Sequence, residues 1–367
     1  MLETFIPDPF TSLALTESQV NQAVEQLISP SLLADTKADF LTRLALKGET
    51  IDEITAFARA LRRKAIEPSL DAETRSREIL DVVGTGGDRL GTFNISTTAA
   101  IVCAAAGVTV AKHGNRAATS RCGSADVLQA LGVPIDLTPD AAVRALREHG
   151  FAFFFAPSYH PAFKHVAAAR KLCAQRGQRT IFNFLGPLLN PASPSAMLVG
   201  VPRPEMCEPL AHVLQSLGVR RGMVVCGEVP VKFSESDHNQ AAGRETGQGV
   251  AYLDEFSTLG KNHIAEFYQE RGFTTSSLSL EQFPLKPASL ADLTGSDCEA
   301  NAKLVHRLLA GEERGPKLDA VLLNAAAALF IAGCVRSLAD GWELASQIIV
   351  TGRAKDKLDA LTAITAS

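Results

Sequence analysis

The spacing of hydrophobic positions changes along the chain and divides it into two parts. Within residues 16–65, apolar side chains recur every three to four positions, which is the spacing of amphipathic helices. Two capping-box sequences, Thr16 with Gln19 and Thr50 with Glu53, predict where two of these helices begin. The first part of the chain is therefore predicted to be helical.

After a polar linker at 69–77, short runs rich in β-branched and aromatic residues alternate with alanine-rich segments. Strands are predicted at 79–83, 108–111, 151–155, 196–201, 222–226 and 250–253. Helices are predicted at 97–106, 125–131, 139–149, 341–351 and 355–365, with a further buried helix in the apolar run 320–335. Strands that alternate with helices in this way are typical of a mainly parallel sheet with crossover helices.

These patterns predict an α/β protein of two domains, and a length of 367 residues agrees with that number. A small all-helical domain is expected over residues 1–76. A larger α/β domain with a mainly parallel central sheet is expected over residues 77–367. Residues 228–249 are polar, contain glycine and lie between two predicted strands, so we expect them to form an inserted surface loop.

Composition and charge exclude several classes of protein. The formal net charge of -4 provides no basic excess for nucleic-acid phosphates. The apolar run at 320–335 is shorter than the roughly 20 residues that cross a bilayer. The N-terminal sequence MLETFIPDPF lacks the basic residues of a signal peptide, and the seven cysteines form no C-x-x-C pair. We expect a cytoplasmic protein with no nucleic-acid or membrane partner, no disulfide framework and no zinc site.

The segment 81–88, DVVGTGGD, carries the clearest chemical signal. It follows a predicted strand, and Asn94, Ser96 and Thr97 stand where the next helix begins. Backbone N–H groups in a glycine-rich loop before a helix bind anions, and these three side chains can add donors. The segment has neither the Gly-Lys-Ser/Thr of a Walker loop nor the dinucleotide spacing. It predicts a phosphate-binding loop, with a simple tight turn as the alternative.

A second polar loop, 112–126 (KHGNRAATSRCGSAD), also begins at the end of a predicted strand. Ligands of parallel sheets bind at such strand ends, so the polar side chains of this loop are expected to converge on one ligand. The candidates are Lys112, Asn115, Arg116, Thr119, Ser120 and Ser124. Cations and hydroxyls together suit a polyphosphate. His113 is either a ligand contact or a structural histidine, and its place in the loop favours contact.

Two further groups complete the predicted site. Asp254 and Glu255 follow a predicted strand, where adjacent carboxylates can hold Mg²⁺ and neutralise a diphosphate; a solvated acidic turn is the alternative. His160, Phe163 and Arg170 lie near one face if the segment after residue 161 is helical. One cation beside apolar groups suits a flat aromatic acid, whose carboxylate Arg170 would bind; a surface ion pair is the alternative.

The ordered motifs GTGGD, NIST, KHGNR, GSADVL, YHPA, RTIFNFLGPLLNP and LDE resemble those of the anthranilate phosphoribosyltransferase family, enzymes of tryptophan biosynthesis. The resemblance covers almost the whole chain. It implies a nucleoside phosphorylase/phosphoribosyltransferase-like fold, in which about residues 165–190 join the helical domain, and a homodimer that contacts through that domain. The implied reaction transfers the phosphoribosyl group of 5-phosphoribosyl 1-diphosphate to the amine of anthranilate, releases diphosphate and uses Mg²⁺, with two ions expected.

The resemblance also implies site residues. Phosphoribosyl diphosphate is expected at Gly84, Gly87, Asp88, Thr92, Asn94, Ile95, Ser96, Thr97, Lys112, His113, Gly114, Asn115, Arg116, Ala117, Ala118, Thr119, Ser120 and Ser124. Anthranilate is expected at Gly84, His113, Asn115, His160, Arg170 and Pro187. Mg²⁺ is expected on Ser96, Asp254 and Glu255. Lys112 and the two carboxylates are expected to be catalytic, because they would neutralise the leaving diphosphate.

The sequence departs from the family pattern in ways that keep alternatives open. The stretch 228–249 is longer than usual, Cys122 stands where serine is common, and Phe163 stands where methionine is common. Three alternatives follow: a phosphoribosyltransferase of the same fold with another aromatic acid as acceptor, a pyrimidine-nucleoside phosphorylase, and a non-catalytic relative that binds nucleic acid. The intact KHGNR and LDE motifs argue against the second, and the lack of a basic excess argues against the third.

Overall fold

The structure is a computed structural model that describes residues 13–117, 120–233, 247–269 and 272–365. Its helices are α1 (Glu17–Leu27), α2 (Ala34–Lys47), α3 (Ile51–Arg62), α4 (Ala72–Ser76), α5 (Ile95–Ala105), α6 (Ser124–Ala130), α7 (Pro139–His149), α8 (Ala156–Tyr159), α9 (Ala167–Gln175), α10 (Cys207–Ser216), α11 (Leu290–Leu293), α12 (Cys298–Leu309), α13 (Pro316–Ile331), α14 (Leu338–Val350) and α15 (Arg353–Thr362). Its strands are β1 (Ile79–Gly84), β2 (Thr109–Gly114), β3 (Phe151–Phe155), β4 (Ala196–Gly200), β5 (Arg221–Phe233), β6 (Gly247–Leu253), β7 (Asn262–Tyr268) and β8 (Gly272–Leu278).

All of these strands belong to one sheet in the order β3-β2-β1-β4-β5-β7-β8, and β6 also pairs with β5. Strands β1 to β5 are parallel to one another, whereas β6, β7 and β8 pair antiparallel. The prediction of a mainly parallel sheet is therefore confirmed. Because the first five strands run in one direction, the loops that follow β1, β2 and β4 lie at the same edge of the sheet.

Several predicted elements differ from the observed ones. Residues 228–233 continue β5 and residues 247–249 begin β6, so the ends of the predicted surface loop 228–249 are strands; residues 234–246 lie outside the described part of the chain. Strands β7 and β8 were not predicted, and the predicted linker contains α4. β8 is mostly exposed and polar, so it lacks the apolar alternation that would reveal a half-buried strand.

The first three helices form a cluster with the segment that surrounds α9. Both predicted capping boxes are present, at Thr16 and at Thr50. The buried ammonium of Lys37 donates to the carbonyls of Ser29 and His165, at 2.7 Å each, and so ties α2 to the segment before α9. These contacts agree with the expectation that residues near 165–190 lie beside the N-terminal helices, while the boundary at residues 76 and 77 stays a prediction.

The largest hydrophobic cluster lies on one face of the sheet and contains α5, α13 and α14. Residues 320–331 of the apolar run form the buried part of α13, as predicted, whereas residues 332–335 lie beyond the end of the helix. A second cluster, on the other face, joins the N-terminal helices to α10. None of the helices in the described ranges has both the length and the apolar character needed to span a membrane.

A buried ion pair joins α2 to α3. Lys47 Nζ lies 2.7 Å from Glu53 Oε2, and the two side chains are 2% and 0% exposed. Glu53 also accepts hydrogen bonds from the backbone N–H groups of Leu15 and Thr50, at 2.8 Å and 2.9 Å. Removing one partner of such a pair is costly, because it leaves the other charge buried and unpaired.

We expect Glu53→Ala to lower the free energy of unfolding by about 3 kcal/mol or more, because Lys47 and two backbone donors lose their partner. A matched control is Glu25→Ala, which removes the exposed Lys64–Glu25 pair, with side chains 40% and 57% exposed. The control should cost less than about 1 kcal/mol. Denaturant unfolding of both variants measures the difference, and equal losses would contradict the structural role of Glu53.

Candidate active site

The glycine-rich loop after β1 touches the acidic turn after β6. A Cβ atom on Gly84 would clash with the Asp254 carboxyl group, and one on Gly200, at the end of β4, would overlap the Asp254 backbone oxygen. The backbone N–H of Gly86 donates to Asp254 Oδ2 at 2.5 Å. Two segments that are far apart in sequence therefore meet at the carboxyl edge of the parallel strands.

Three carboxyl groups gather at this contact. Asp254 is only 9% exposed, and burial together with the nearby Asp88 and Glu255 raises its pKa well above the usual range. Burial also raises the pKa of Glu255 to about 8, with a further contribution from Asp88. Removal from water and mutual repulsion both disfavour the charged forms of these groups. A bound cation would reverse that preference.

The acidic residues suit a divalent cation whose remaining coordination positions are filled by a bound substrate. Glu255 Oε1 accepts from the backbone N–H of Ser96 at 3.2 Å, whereas Glu255 Oε2 is buried without a hydrogen-bond partner. Within the described ranges, no three His, Cys, Asp or Glu side chains form a closed metal site. Mg²⁺ usually takes only one or two protein carboxylates and completes its coordination with water and substrate phosphates. The predicted set Ser96, Asp254 and Glu255 is thus brought together.

Lys112 lies behind the glycine-rich loop. It is 1% exposed, and its ammonium donates to the Val82 carbonyl at 2.6 Å. Burial lowers the pKa of Lys112, while Asp81 and Glu255 act in the opposite direction. Burial raises the pKa of Asp81 to about 6. Lys112 thus supplies positive charge between two carboxyl groups, next to the predicted phosphate-binding loop.

The residues predicted to bind anions lie before and within the first turn of α5, and their side chains make different contacts. Ser96 and Thr97 lie in the first turn, while the Ile95 side chain is in the core and its N–H donates to Phe93. The amide of Asn94 donates to the Cys122 carbonyl at 3.0 Å and so joins the two polar loops. Thr92 forms a bridge with Thr294. Gly87 has a φ of +90°, which favours glycine at this position.

The second polar loop only partly converges on the same site. Arg116 pairs with Asp126 at 2.8 Å and donates to Gln129, so its guanidinium is directed along α6. The amide oxygen of Asn115 accepts from the Arg116 backbone N–H at 2.7 Å. Ser124 approaches Gly114 so closely that a Cβ there would clash with its Oγ.

The remaining predicted residues of this loop are Ala117, Ala118, Thr119 and Ser120. Ala117 is exposed, and its N–H donates to Asp126 at 2.8 Å. Ser120 is exposed and donates to the Cys122 carbonyl. Ala118 and Thr119 lie outside the described residues.

A chain of aromatic rings leads from the end of β2 to Arg170. The His113 and His160 ring centroids are 5.2 Å apart, and His160 stacks on Phe163 at 5.1 Å. Phe163 contacts the edge of Phe182 at 5.8 Å, and the Arg170 guanidinium lies 5.5 Å from the Phe182 centroid. Three of the predicted acceptor residues, His113, His160 and Arg170, are therefore joined by this line of rings, whereas Gly84 and Asn115 are not part of it. Pro187 is buried in the turn Gly186–Leu189, which packs against β2.

The two imidazoles of this line are neutral at pH 7. Burial lowers the pKa of His113 to about 3 and that of His160 to about 4. Nε2 of His113 and both ring nitrogens of His160 are buried. Arg170, at the far end of the line, is an exposed cation. This end of the site offers neutral rings and one cation, unlike the acidic centre beside the glycine-rich loop.

Sequence reasoning missed a group of arginines beside the glycine-rich loop. Arg179 donates to the Gly87 carbonyl at 3.4 Å, and burial, Arg203 and Arg89 together lower its pKa. Gly200 was also missed, although its close contact with Asp254 fixes the acidic turn. The arginines lie in three separate segments with no common motif, so only the folded chain brings them together.

Comparison with protein families agrees with this arrangement. A family model described as "Glycosyl transferase family, helical bundle domain" matches residues 11–65. A second, described as "Glycosyl transferase family, a/b domain", matches residues 76–247 and 243–355. The predicted fold class, a small helical domain beside a larger α/β domain, is confirmed.

Similar proteins share one name. The anthranilate phosphoribosyltransferase of Petrotoga mobilis is 41% identical over 351 residues, which are 96% of this chain and 93% of that protein. The one from Moorella thermoacetica is 43% identical over 363 residues, 99% of this chain and 98% of that protein.

Solved structures give the same result. The crystal structure of anthranilate phosphoribosyltransferase from Thermus thermophilus has a TM-score of 0.81 at 41% identity and covers 96% of each chain. The Saccharomyces cerevisiae enzyme in complex with PRPP and Mg has a TM-score of 0.81 at 24% identity and covers 100% of this chain and 97% of its own; that likeness shows a shared fold.

The raised pKa of Glu255 predicts a pH dependence of stability in the absence of metal. The folded carboxyl keeps its proton up to about pH 8, whereas the unfolded one loses it near its usual pKa of 4.5. The folded state binds more protons between these values, so its stability falls as the pH rises through them. Glu255→Gln stays neutral, so its melting temperature relative to the wild type should increase from about pH 5 to about pH 8 in EDTA.

The control for this experiment is Glu281→Gln, which changes an exposed carboxylate. The difference between its melting temperature and that of the wild type should be the same at every pH. If the melting temperature of Glu255→Gln also differs from that of the wild type by a constant amount, Glu255 does not hold a proton in the metal-free protein.

Proposed function

Because the chain belongs to the anthranilate phosphoribosyltransferase family, we propose that it transfers the phosphoribosyl group of 5-phosphoribosyl 1-diphosphate to the amine of anthranilate and releases diphosphate, a step of tryptophan biosynthesis. The observation that carries the proposal is the contact between the glycine-rich loop and the buried carboxyl pair Asp254 and Glu255. A phosphate-binding loop and a magnesium site in contact are what a diphosphate leaving group requires.

The phosphoribosyl diphosphate is assigned to the edge of the sheet between the two polar loops. Backbone N–H groups after Gly84, with Asn94, Ser96 and Thr97 at the start of α5, bind its phosphate oxygens. Lys112 contributes charge from behind the loop, since its ammonium is buried within reach of Val82. The pairing of Arg116 with Asp126 supports a role in shaping the second loop, with the bound phosphates nearer its backbone.

Two Mg²⁺ ions are proposed at the acidic centre. Asp254, Glu255 and Asp88 supply three carboxyl groups, and Ser96 stands beside Glu255. When bound, the ions neutralise the negative charge that develops on the leaving diphosphate. A single Mg²⁺ ion would not carry enough positive charge to balance both the buried carboxylates and the diphosphate.

Anthranilate is assigned to the aromatic line that ends at Arg170. Arg170 binds its carboxylate, and the neutral rings of His113 and His160 face the flat acceptor without a competing charge. The aromatic amine is uncharged at pH 7, so it attacks C1 of the ribose without a strong base. The C1–N bond forms as the C1–O bond breaks, and the electron pair of the C1–O bond leaves with the diphosphate while C1 inverts. The nitrogen, which is protonated after the attack, then releases one proton to solvent. Holding the two substrates in line is the main task of the site.

The assembly and location follow the same premise. We propose a homodimer that contacts through the helical part of the chain, where Leu33 and Leu46 at the two ends of α2 are 73% and 61% exposed. We also propose that the protein works in the cytoplasm, because its seven cysteines are free thiols and five of them are buried.

The proposed reaction predicts that purified protein consumes anthranilate, followed by its fluorescence, only when phosphoribosyl diphosphate and Mg²⁺ are present. Asp254→Asn should lower turnover about 100-fold or more, because a metal ligand and an acceptor for Gly86 are altered. The control is Glu299→Gln, at an exposed position in the first turn of α12, which should keep full turnover. No consumption by the wild type would refute the proposed function, and full turnover by Asp254→Asn would refute the metal assignment.

The proposed acceptor site predicts a separate effect of Arg170→Ala. Loss of a charged hydrogen bond to the carboxylate should raise the KM for anthranilate about tenfold or more, with the KM for phosphoribosyl diphosphate within about twofold of the wild type. Arg176→Ala is the matched control, since Arg176 lies at the end of the same helix and pairs with Asp39 at 3.2 Å. Equal changes in both KM values would contradict the assignment, and consumption of another aromatic acid in place of anthranilate would identify a different acceptor.

A further inference from the structure

Asn324 is the polar residue in the buried part of α13, residues 320–331, where its neighbours are apolar. It is 2% exposed, and its amide is fully used. Oδ1 accepts from the Phe256 N–H at 3.0 Å, and Nδ2 donates to the Phe256 carbonyl at 3.0 Å and to the Ala320 carbonyl at 2.9 Å. The side chain therefore pairs with the backbone of Phe256 on both sides, as a neighbouring strand would.

Phe256 directly follows the carboxyl pair Asp254 and Glu255 in the sequence. Its own side chain is completely buried in the core cluster that contains α13. Two hydrogen bonds of Asn324 thus hold the two peptide groups on either side of Phe256, and the first of these connects Phe256 to Glu255. On the other side of the turn, the Asp254 backbone lies against Gly200.

The next residue is held in the same way. The Ser257 N–H donates to Asn262 Oδ1 at 2.7 Å, and Asn262 Nδ2 donates to the Ser257 carbonyl at 2.9 Å. Two successive residues after the carboxyl pair are therefore each paired, through two hydrogen bonds, with a buried asparagine amide. A neutral amide can hold this backbone without adding charge beside buried carboxylates.

We propose that Asn324 is a positioning residue that fixes Asp254 and Glu255 in the arrangement that binds Mg²⁺ with phosphoribosyl diphosphate. The inference rests on the proposed function. The two carboxyl groups repel each other when charged, so their own interactions cannot hold the turn in shape. Groups behind metal ligands commonly change metal affinity about 10-fold to 100-fold when they are removed. Asn324 touches neither the ligand oxygens nor the substrate, and acts through the backbone of Phe256.

The test measures metal binding directly, with Mn²⁺ as the probe. Free Mn²⁺ is followed by electron paramagnetic resonance during titration of the full-length protein in the presence of phosphoribosyl diphosphate. Asn324→Ala should weaken Mn²⁺ binding about tenfold. The matched control is Leu329→Ala on the same helix, a buried residue whose loss leaves a cavity but no unpaired backbone group near the carboxyl pair. Both variants should melt at lower temperature, and only the first should lose metal affinity.

A second variant covers the case in which Asn324→Ala does not fold. Asn324→Ser keeps one donor and one acceptor on a shorter side chain, and its Mn²⁺ affinity should also lie below that of Leu329→Ala. If the folded Asn324 variants bind Mn²⁺ within twofold of the wild type, Asn324 only stabilises the core and the proposal is wrong. Wild-type protein that binds no Mn²⁺ would refute the magnesium site itself, and with it both the proposed function and this inference.

Discussion

Asp254 lies against two glycines, with its carboxyl group on Gly84 at the end of β1 and its backbone on Gly200 at the end of β4, and neither glycine has space for a Cβ atom. This contact brings an acidic turn, which belongs to the antiparallel side of the sheet, onto the edge of the parallel side that carries the glycine-rich loop. Strand order makes it possible, because β4 separates β1 from β5 and β6 pairs with β5. Any side chain at Gly200 would push the turn away, and the carboxyl pair would no longer face the glycine-rich loop.

Burying these carboxyl groups opposes folding, because each disfavours its charged form and the groups repel one another. Hydrogen bonds that do not depend on a bound metal offset this unfavourable free energy. Gly86 and Ser96 donate backbone hydrogen bonds to the carboxylates. The turn itself is held by the amides of Asn324 and Asn262. The acidic centre is therefore arranged before any cation arrives, which is the condition for binding it in a small, fixed geometry.

The two ends of the site differ in their electrostatics. Around the glycine-rich loop lie carboxyl groups, the buried ammonium of Lys112 and the arginine group near Arg179. Towards Arg170 lie neutral imidazoles and phenyl rings. The first environment suits the highly charged donor that we propose, and the second suits the flat, weakly charged acceptor. His113, at the end of β2, stands between them, since it follows Lys112 directly and contacts His160.

The sequence by itself determined the elements whose signal is local. Capping boxes at Thr16 and Thr50, the apolar strands before the polar loops and the buried helix α13 all follow from side-chain periodicity, and the motifs located the polar loops and the carboxyl pair. Only the tertiary structure decided which groups meet. It placed Arg116 on Asp126, buried the Lys112 ammonium and paired Asn324 with Phe256. It also added β8, whose polar, exposed sequence carries no strand period. The spacing of apolar residues within a segment shows which of its faces is buried. Contacts between segments that are far apart in sequence depend on the order of the strands and on the packing of α13 against the sheet.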